Sequence, residues 1–139
     1  MKDHSMRMQD ISLGQSLPEL AIPITASAIV AGAIATNDFQ NVHHDKAAAI
    51  STGVPDIFMN ILTTNGLVQR YVGDWCGAAA RITNVEIKLG APNFVGDTMV
   101  MTGQVASVEG DLVAVAVSGR NAIGEHVVAT VSLNFGNAK

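Results

Sequence analysis

The spacing of apolar residues changes once along this chain, near residue 80, from a helical period to a period of two. Ile57 to Asp74 forms the helical stretch. Phe58, Ile61, Leu62, Val68 and Val72 mark one stripe, and Ile57, Leu67, Tyr71 and Trp75 widen it. Asp56 is placed to cap this helix, and Gly73 and Gly77 are placed to end it. A helix so apolar is expected to be buried on more than one side. Beyond it, Val85, Ile87 and Leu89 alternate with Asn84, Glu86 and Lys88. Met99, Met101, Gly103 and Val105 line one face of the next strand, then Val113, Val115 and Val117, then Val127, Ala129, Val131, Leu133 and Phe135. Turn signals separate these runs at Gly90–Asn93, Gly96–Asp97, Glu109–Asp111 and Asn121–Glu125. Ahead of the helix, Ile24 to Ile34 is rich in Ile, Val, Thr and Ala and is read as a first strand, and Lys46 to Ile50 as a short helical turn. Residues 1–16 are polar and irregular and are expected to be a flexible tail, leaving one domain over 17–139.

The predicted order is strand, long helix, then four strands as a meander. That is an α+β domain, an antiparallel sheet wrapped around one long central helix. Its edge strand and open face favour pairing with a second subunit. Composition agrees. With 48% hydrophobic but only 14% charged residues, the surface carries few charges for a monomer. A net charge of −4, with no cluster of Lys or Arg, argues against nucleic acid. Leu20 to Asn37 is uncharged, and Ala31-Gly32-Ala33 resembles a signal-peptidase site. Glu19 before the run and Pro18 and Pro23 within and beside it favour a buried strand over a secretory or membrane segment. Cys76 is the single cysteine, which excludes an internal disulfide and fits a reducing cytoplasm.

The chemistry concentrates in Asp38-Phe39-Gln40-Asn41-Val42-His43-His44-Asp45. Asp38 and His43 stand five apart, a spacing that turns them away from each other on a continuous helix. They converge only if the chain bends, and Asn41 between them favours turns. A carboxylate and an imidazole brought together at such a bend can hold one water, take its proton and later return one. Taken singly, Asp38 reads as a turn cap and His43 as a structural histidine. Asp45 reads as the cap of the following turn. Arg120 and Asn121 precede a turn and are read as solvated in preference to touching a phosphate.

These residues, followed by the long helix and Pro92-Asn93-Phe94-Val95-Gly96-Asp97, resemble the MaoC-like hydratases of the hot-dog fold. The resemblance runs from about Ile24 to Phe135. Within that family, Thr36–Asp45, Asp56–Leu62 and Gly66–Arg70 are similar to the small subunits of actinobacterial steroid side-chain enoyl-CoA hydratases. The chain departs from the family in having no proline in Gln40-Asn41-Val42-His43, and in Met59-Asn60 where a His-Gly pair often opens the central helix.

The resemblance implies addition of water across a trans-2-enoyl-CoA double bond, with a bulky acyl group and Asp38 and His43 as the catalytic pair. It implies no metal and no cofactor beyond the coenzyme A of the substrate, and a homodimer or a heteromer with a second hot-dog chain. The enolate-like intermediate needs a donor at the thioester oxygen. The backbone N–H of Gly66 is a candidate, since glycine permits close approach. Asn65, expected on the buried stripe, is a candidate to orient the water or the carbonyl.

Two other readings compete. The chain is a non-catalytic or thioesterase-type hot-dog subunit that binds acyl-CoA. Alternatively, His43, Asp45 and His126 form the facial triad of a non-haem iron oxygenase, although a long buried helix in mid-chain does not suit the fold of those enzymes.

Overall fold

The computed structural model describes residues 6–136. Five antiparallel strands form one sheet: β1 (Ser16–Pro23), β2 (Arg81–Leu89), β3 (Thr98–Glu109), β4 (Leu112–Arg120) and β5 (Glu125–Asn134). Three helices stand between β1 and β2: α1 (Ala26–Ala35), α2 (Lys46–Ser51) and α3 (Ile61–Cys76). The sheet order is β1-β3-β4-β5-β2. β3, β4 and β5 follow one another as a meander, but β2 does not precede them in it. It pairs with β5, from Arg81↔Asn134 to Leu89↔Val127, and so closes the far edge. α3 touches both edge strands as well as β5. The sheet therefore curves around the helix, as the hot-dog arrangement requires.

The alternation of β3, β4 and β5 settles which face is inward. Met99, Met101 and Val105, then Val113, Val115 and Val117, then Val127, Ala129, Val131 and Leu133 are all buried. They pack against Val68, Tyr71, Val72 and Cys76 of α3. That face of α3 recurs at the spacing of a single helical side. Ile61 and Leu62, expected on the buried stripe, are instead 49% and 51% exposed, and Thr64 holds the inward place. The helix starts four residues later than its apolar pattern suggests. Asn60, not Asp56, is its cap, with Oδ1 accepting from the Thr63 N–H at 3.1 Å. Asp56 accepts from the adjacent Ile57 N–H and pairs with Lys46 at 3.5 Å.

The first strand also differs from the expectation. β1 ends at Pro23, and most of Ile24–Ile34 is helix α1. Thr25 caps it, its Oγ1 accepting from the Ala28 N–H at 3.0 Å. Five alanines within α1 favour helix more than the scattered Ile and Val favour strand. Pro18 and Pro23 are tolerated because β1 is an edge strand, irregular between Leu17 and Leu20. Nor are residues 6–15 a free tail. Ile11 is buried, Met6 and Met8 pack on the core, and backbone bonds join Gly14 and Gln15 to Val105. Of the predicted tail, residues 1–5 lie outside the described chain. No helix among the described residues is long and apolar enough to cross a membrane.

α1 reaches the start of α3 at Gly32. A Cβ there would run into Thr63 Oγ1 and lie 2.8 Å from its Cγ2, and Thr63 is held by Asn60. Gly32 permits a close crossing that sets Thr36 beside Asn60. Gly32→Val is expected to cost about 1–3 kcal/mol through overpacking. Denaturant midpoints of the two proteins check this, and Thr63→Ala should relieve part of the loss.

Candidate active site

Two local devices bring Asp38 to His43. α1 ends at Ala35 with Thr36 as its cap, and Asn37 takes a left-handed conformation at φ 61°, which asparagine tolerates. The chain reverses, and the Asp38 N–H bonds the Ala33 carbonyl at 2.9 Å. A single 3-10 turn, Asn41–His43, then folds the chain back. Asp38 Oδ1 steadies the reversal by accepting from the Gln40 N–H at 3.3 Å. His43 Nε2 comes to rest 3.3 Å from Asp38 Oδ2. The imidazole is nearly enclosed at 7% side-chain exposure, whereas the carboxylate keeps 24%.

The other ring nitrogen fixes the proton inventory. His43 Nδ1 lies 2.7 Å from the Phe58 carbonyl oxygen. A carbonyl only accepts, so Nδ1 carries a hydrogen. In the neutral ring, Nε2 is then an acceptor facing a second acceptor, the carboxylate. The pair is satisfied only by a proton between the two atoms or by a molecule that donates to both. The Phe58 ring meets the imidazole edge to face at 5.0 Å and Phe94 at 6.2 Å. Phe58 itself is held by a bridge to Phe94, and Met59 N–H bonds the Asn93 carbonyl at 3.1 Å. The Pro92–Asp97 loop thus anchors the carbonyl that orients His43.

Asn60, 2% exposed, is the residue that sequence reasoning missed. Its Nδ2 donates to Asp38 Oδ2 at 3.0 Å and to Thr36 Oγ1 at 2.8 Å, while its Oδ1 caps α3. The signal was present: Asn three residues before Thr63 is a helix cap once the start is not drawn at Ile57. The Asn60 amide is the main reason that the Asp38 carboxyl is held below its ordinary value of 3.8. The Gln40 N–H and the His43 ring add to the effect, against the opposing desolvation. The contribution of this carboxylate to stability is present above pH 3.8 and is lost as pH falls through the lower folded value.

Asn65 and Gly66 are not brought to the pair. The Asn65 side chain accepts from Gln69 Nε2 at 2.8 Å on the outer side of α3. Gly66 is exposed and lies a full turn inside the helix, where its N–H is committed to the helical ladder. The N–H groups free of intrahelical bonds are those of the first turn, Ile61 and Leu62, directly after Asn60. Nor do the triad candidates meet. His43 is held at Phe58, Asp45 caps α2 at the Ala48 N–H, and His126 bonds Ala91 and Thr64. Among the described residues no three His, Cys, Asp or Glu side chains form a metal-sized group.

The Asp38 carboxylate is the more open member of the pair. Ile34 and Phe39, flanking the reversal at Asp38, and Ile61 and Leu62, directly after Asn60, form an exposed apolar shelf of residues, between 49% and 64% exposed. A separate cleft lies between β1 and the C-terminal half of α3, walled by Leu20, Tyr71 and Trp75.

Comparison with known proteins bears on this geometry. The MaoC-like domain family matches residues 11–126. The beta subunit of the 3-oxo-4,17-pregnadiene-20-carboxyl-CoA hydratase of Mycobacterium tuberculosis is 48% identical over 123 residues, 88% of this chain and 95% of that one. A chain of the ChsH1–ChsH2 complex of the same organism superposes with a TM-score of 0.87 at 48% identity, covering 88% of this chain and 97% of its own. The R-hydratase PhaJ1 of Pseudomonas aeruginosa shares the fold, with a TM-score of 0.86 at 17% identity over 94% of this chain and 85% of its own.

Two outcomes are expected at this site. Asn60→Ser keeps a cap for α3 but is too short to reach Asp38. The Asp38 carboxyl should then titrate at higher pH, read from its carboxyl carbon shift by NMR. Burial holds the His126 imidazole below its ordinary value of 6.5. The unfolded chain therefore takes up a proton that the folded one refuses, and stability should fall as pH drops below about 6.5. His126→Asn should flatten that part of the melting-temperature profile.

Proposed function

The chain belongs to the MaoC-like dehydratase family, and from that premise we propose that it is the proton-transferring subunit of a heteromeric enoyl-CoA hydratase. The observation that carries this reading is the 3.3 Å approach of His43 Nε2 to Asp38 Oδ2, with Nδ1 already occupied by the Phe58 carbonyl. Two acceptors so placed suit a water that donates one hydrogen to each. Water attacks the β-carbon of the conjugated thioester, its proton passes to the pair, and a proton from the pair reaches the α-carbon. The two groups act as one coupled unit. The low-lying Asp38 carboxyl keeps the charge that this unit needs at neutral pH.

Negative charge builds on the thioester oxygen during attack. The N–H groups of Ile61 and Leu62 at the start of α3 suit that oxygen, aided by the positive end of the helix dipole. They replace Gly66 as the candidates for this role. The chemistry draws on the two side chains, the backbone N–H groups, the water and the substrate, with coenzyme A entering as part of the thioester.

The acyl group and the partner follow from the relatives and from the shelf. The Mycobacterium tuberculosis relative is the beta subunit of a 3-oxo-4,17-pregnadiene-20-carboxyl-CoA hydratase, and the solved chain on which this one superposes belongs to the ChsH1–ChsH2 complex. Exposed Ile34, Phe39, Ile61 and Leu62 suit one wall of an apolar channel for a bulky acyl group, with a second hot-dog chain as its roof. The buried, protonated Cys76 and a CoA thioester substrate suit a reducing cytoplasm.

In the complex with its partner chain, Asp38→Ala and His43→Ala are each expected to lower kcat by about 10²–10⁴-fold. The double variant should fall little further, because the pair works as a unit. Loss of enoyl-thioester absorbance on short and steroidal enoyl-CoA substrates gives the rate. Wild-type rates in both single variants would overturn the assignment, and release of free CoA without hydration would make the protein a thioesterase.

A further inference from the structure

His126 has no part in the chemistry above, yet it is 2% exposed and fully bonded. It reaches the interior through a local break in β5. Gly119 of β4 pairs with Val127, but Arg120 pairs with Glu125, so His126 is the skipped residue of a bulge. Both His126 and Val127 are consequently buried, against the alternation of the strand. Bulges re-aim a side chain in this way, and they occur beside active sites.

The ring links three elements. Nδ1 lies 2.6 Å from the Ala91 carbonyl and must donate to it. Nε2 of the neutral ring therefore accepts, and the Thr64 hydroxyl donates to it at 2.8 Å. Thr64 lies in the first turn of α3, where its N–H bonds the Asn60 carbonyl. Ala91 leads into the loop whose Asn93 carbonyl holds the Met59 N–H. One imidazole thus secures both sides of the short segment Phe58–Asn60, from which the His43 acceptor and the Asp38 donor project.

We propose that His126 is a positioning residue. Held by Ala91, it fixes Thr64 and with it the first turn of α3, so that Asn60 stays on Asp38 and the free N–H groups of Ile61 and Leu62 stay in place for the thioester oxygen. This rests on the hydratase reading above. It makes the N-terminal turn of α3 a preset part of the site, held from the sheet rather than by substrate.

The test uses the complex with the partner chain. Thr64→Val is isosteric and removes only the hydroxyl, whereas Thr64→Ser keeps it. His126→Asn keeps a donor for Ala91 and loses the bond to Thr64. Thr64→Val and His126→Asn should each lower kcat about tenfold while KM moves less than about twofold. Thr64→Ser should return to within about threefold of wild type, and the Val/Asn double variant should equal the worse single one. Wild-type kcat in Thr64→Val, or equal losses in the Val and Ser variants, would overturn the proposal. Hydrogen exchange at the amides of Ile61 to Thr64 gives a second measurement. It should quicken in Thr64→Val, and unchanged exchange there would also overturn the proposal. If the wild-type complex hydrates no enoyl-CoA, the functional reading fails while the exchange measurement still decides the role of His126.

Discussion

The hydrogen bond from His43 Nδ1 to the Phe58 carbonyl determines what the rest of the site can do. It commits one ring nitrogen as a donor and leaves the other to face Asp38. The approach of Asp38 then becomes a chemical statement, because a neutral ring offers the carboxylate a lone pair and not a proton. Much of the surrounding structure holds that carbonyl in place. Phe58 is not helical. It lies in an extended stub between α2 and α3, bridged to Phe94 and backed by Met59 on Asn93. The Pro92–Asp97 loop has its own support, since Asn121 donates to the Pro92 carbonyl and to Asn93 Oδ1 at 2.8 and 2.9 Å.

The site is a polar seam laid between an aliphatic core and an aliphatic surface. Thr36, Asp38, Asn60 and Thr63 bond one another across α1, the reversal after it and the start of α3. Every buried side-chain nitrogen and oxygen among the described residues has a partner. Such a network specifies one arrangement, because losing any member leaves another polar group unsatisfied in a low-dielectric setting. Gly32 makes the seam possible by letting α1 and α3 cross closely enough for short side chains to meet.

The sheet was legible in the sequence because its inward residues repeat every second position. Met99 to Val105, Val113 to Val117 and Val127 to Leu133 are buried as the alternation implies. The order of strands was not legible, since alternation says nothing about which neighbour a strand takes, and β2 crosses to β5. Helix boundaries failed where apolar residues outran the helix. Ile57 and Phe58 continue the pattern of α3 but belong to the stub, and Asn60 is the true cap. A start at Ile57 leaves Asn60 inside the helix instead of at its cap, and a stripe through Phe58, Ile61 and Leu62 carries Asn65 inward, whereas Ile61 and Leu62 are exposed. The approach of Asp38 to His43 was legible because both lie within one short bend. The buried role of His126 was not, for it depends on a bulge created by pairing between distant strands.

The exposed shelf of Ile34, Phe39, Ile61 and Leu62 has an evolutionary corollary. Under the function proposed above, proton transfer is fixed within one polypeptide by short-range bonds, while the space for the acyl chain is left to be finished by another. Two inherited sequences then carry two separate properties. Substrate range can drift through changes in the companion chain, with no mutation reaching the reactive atoms.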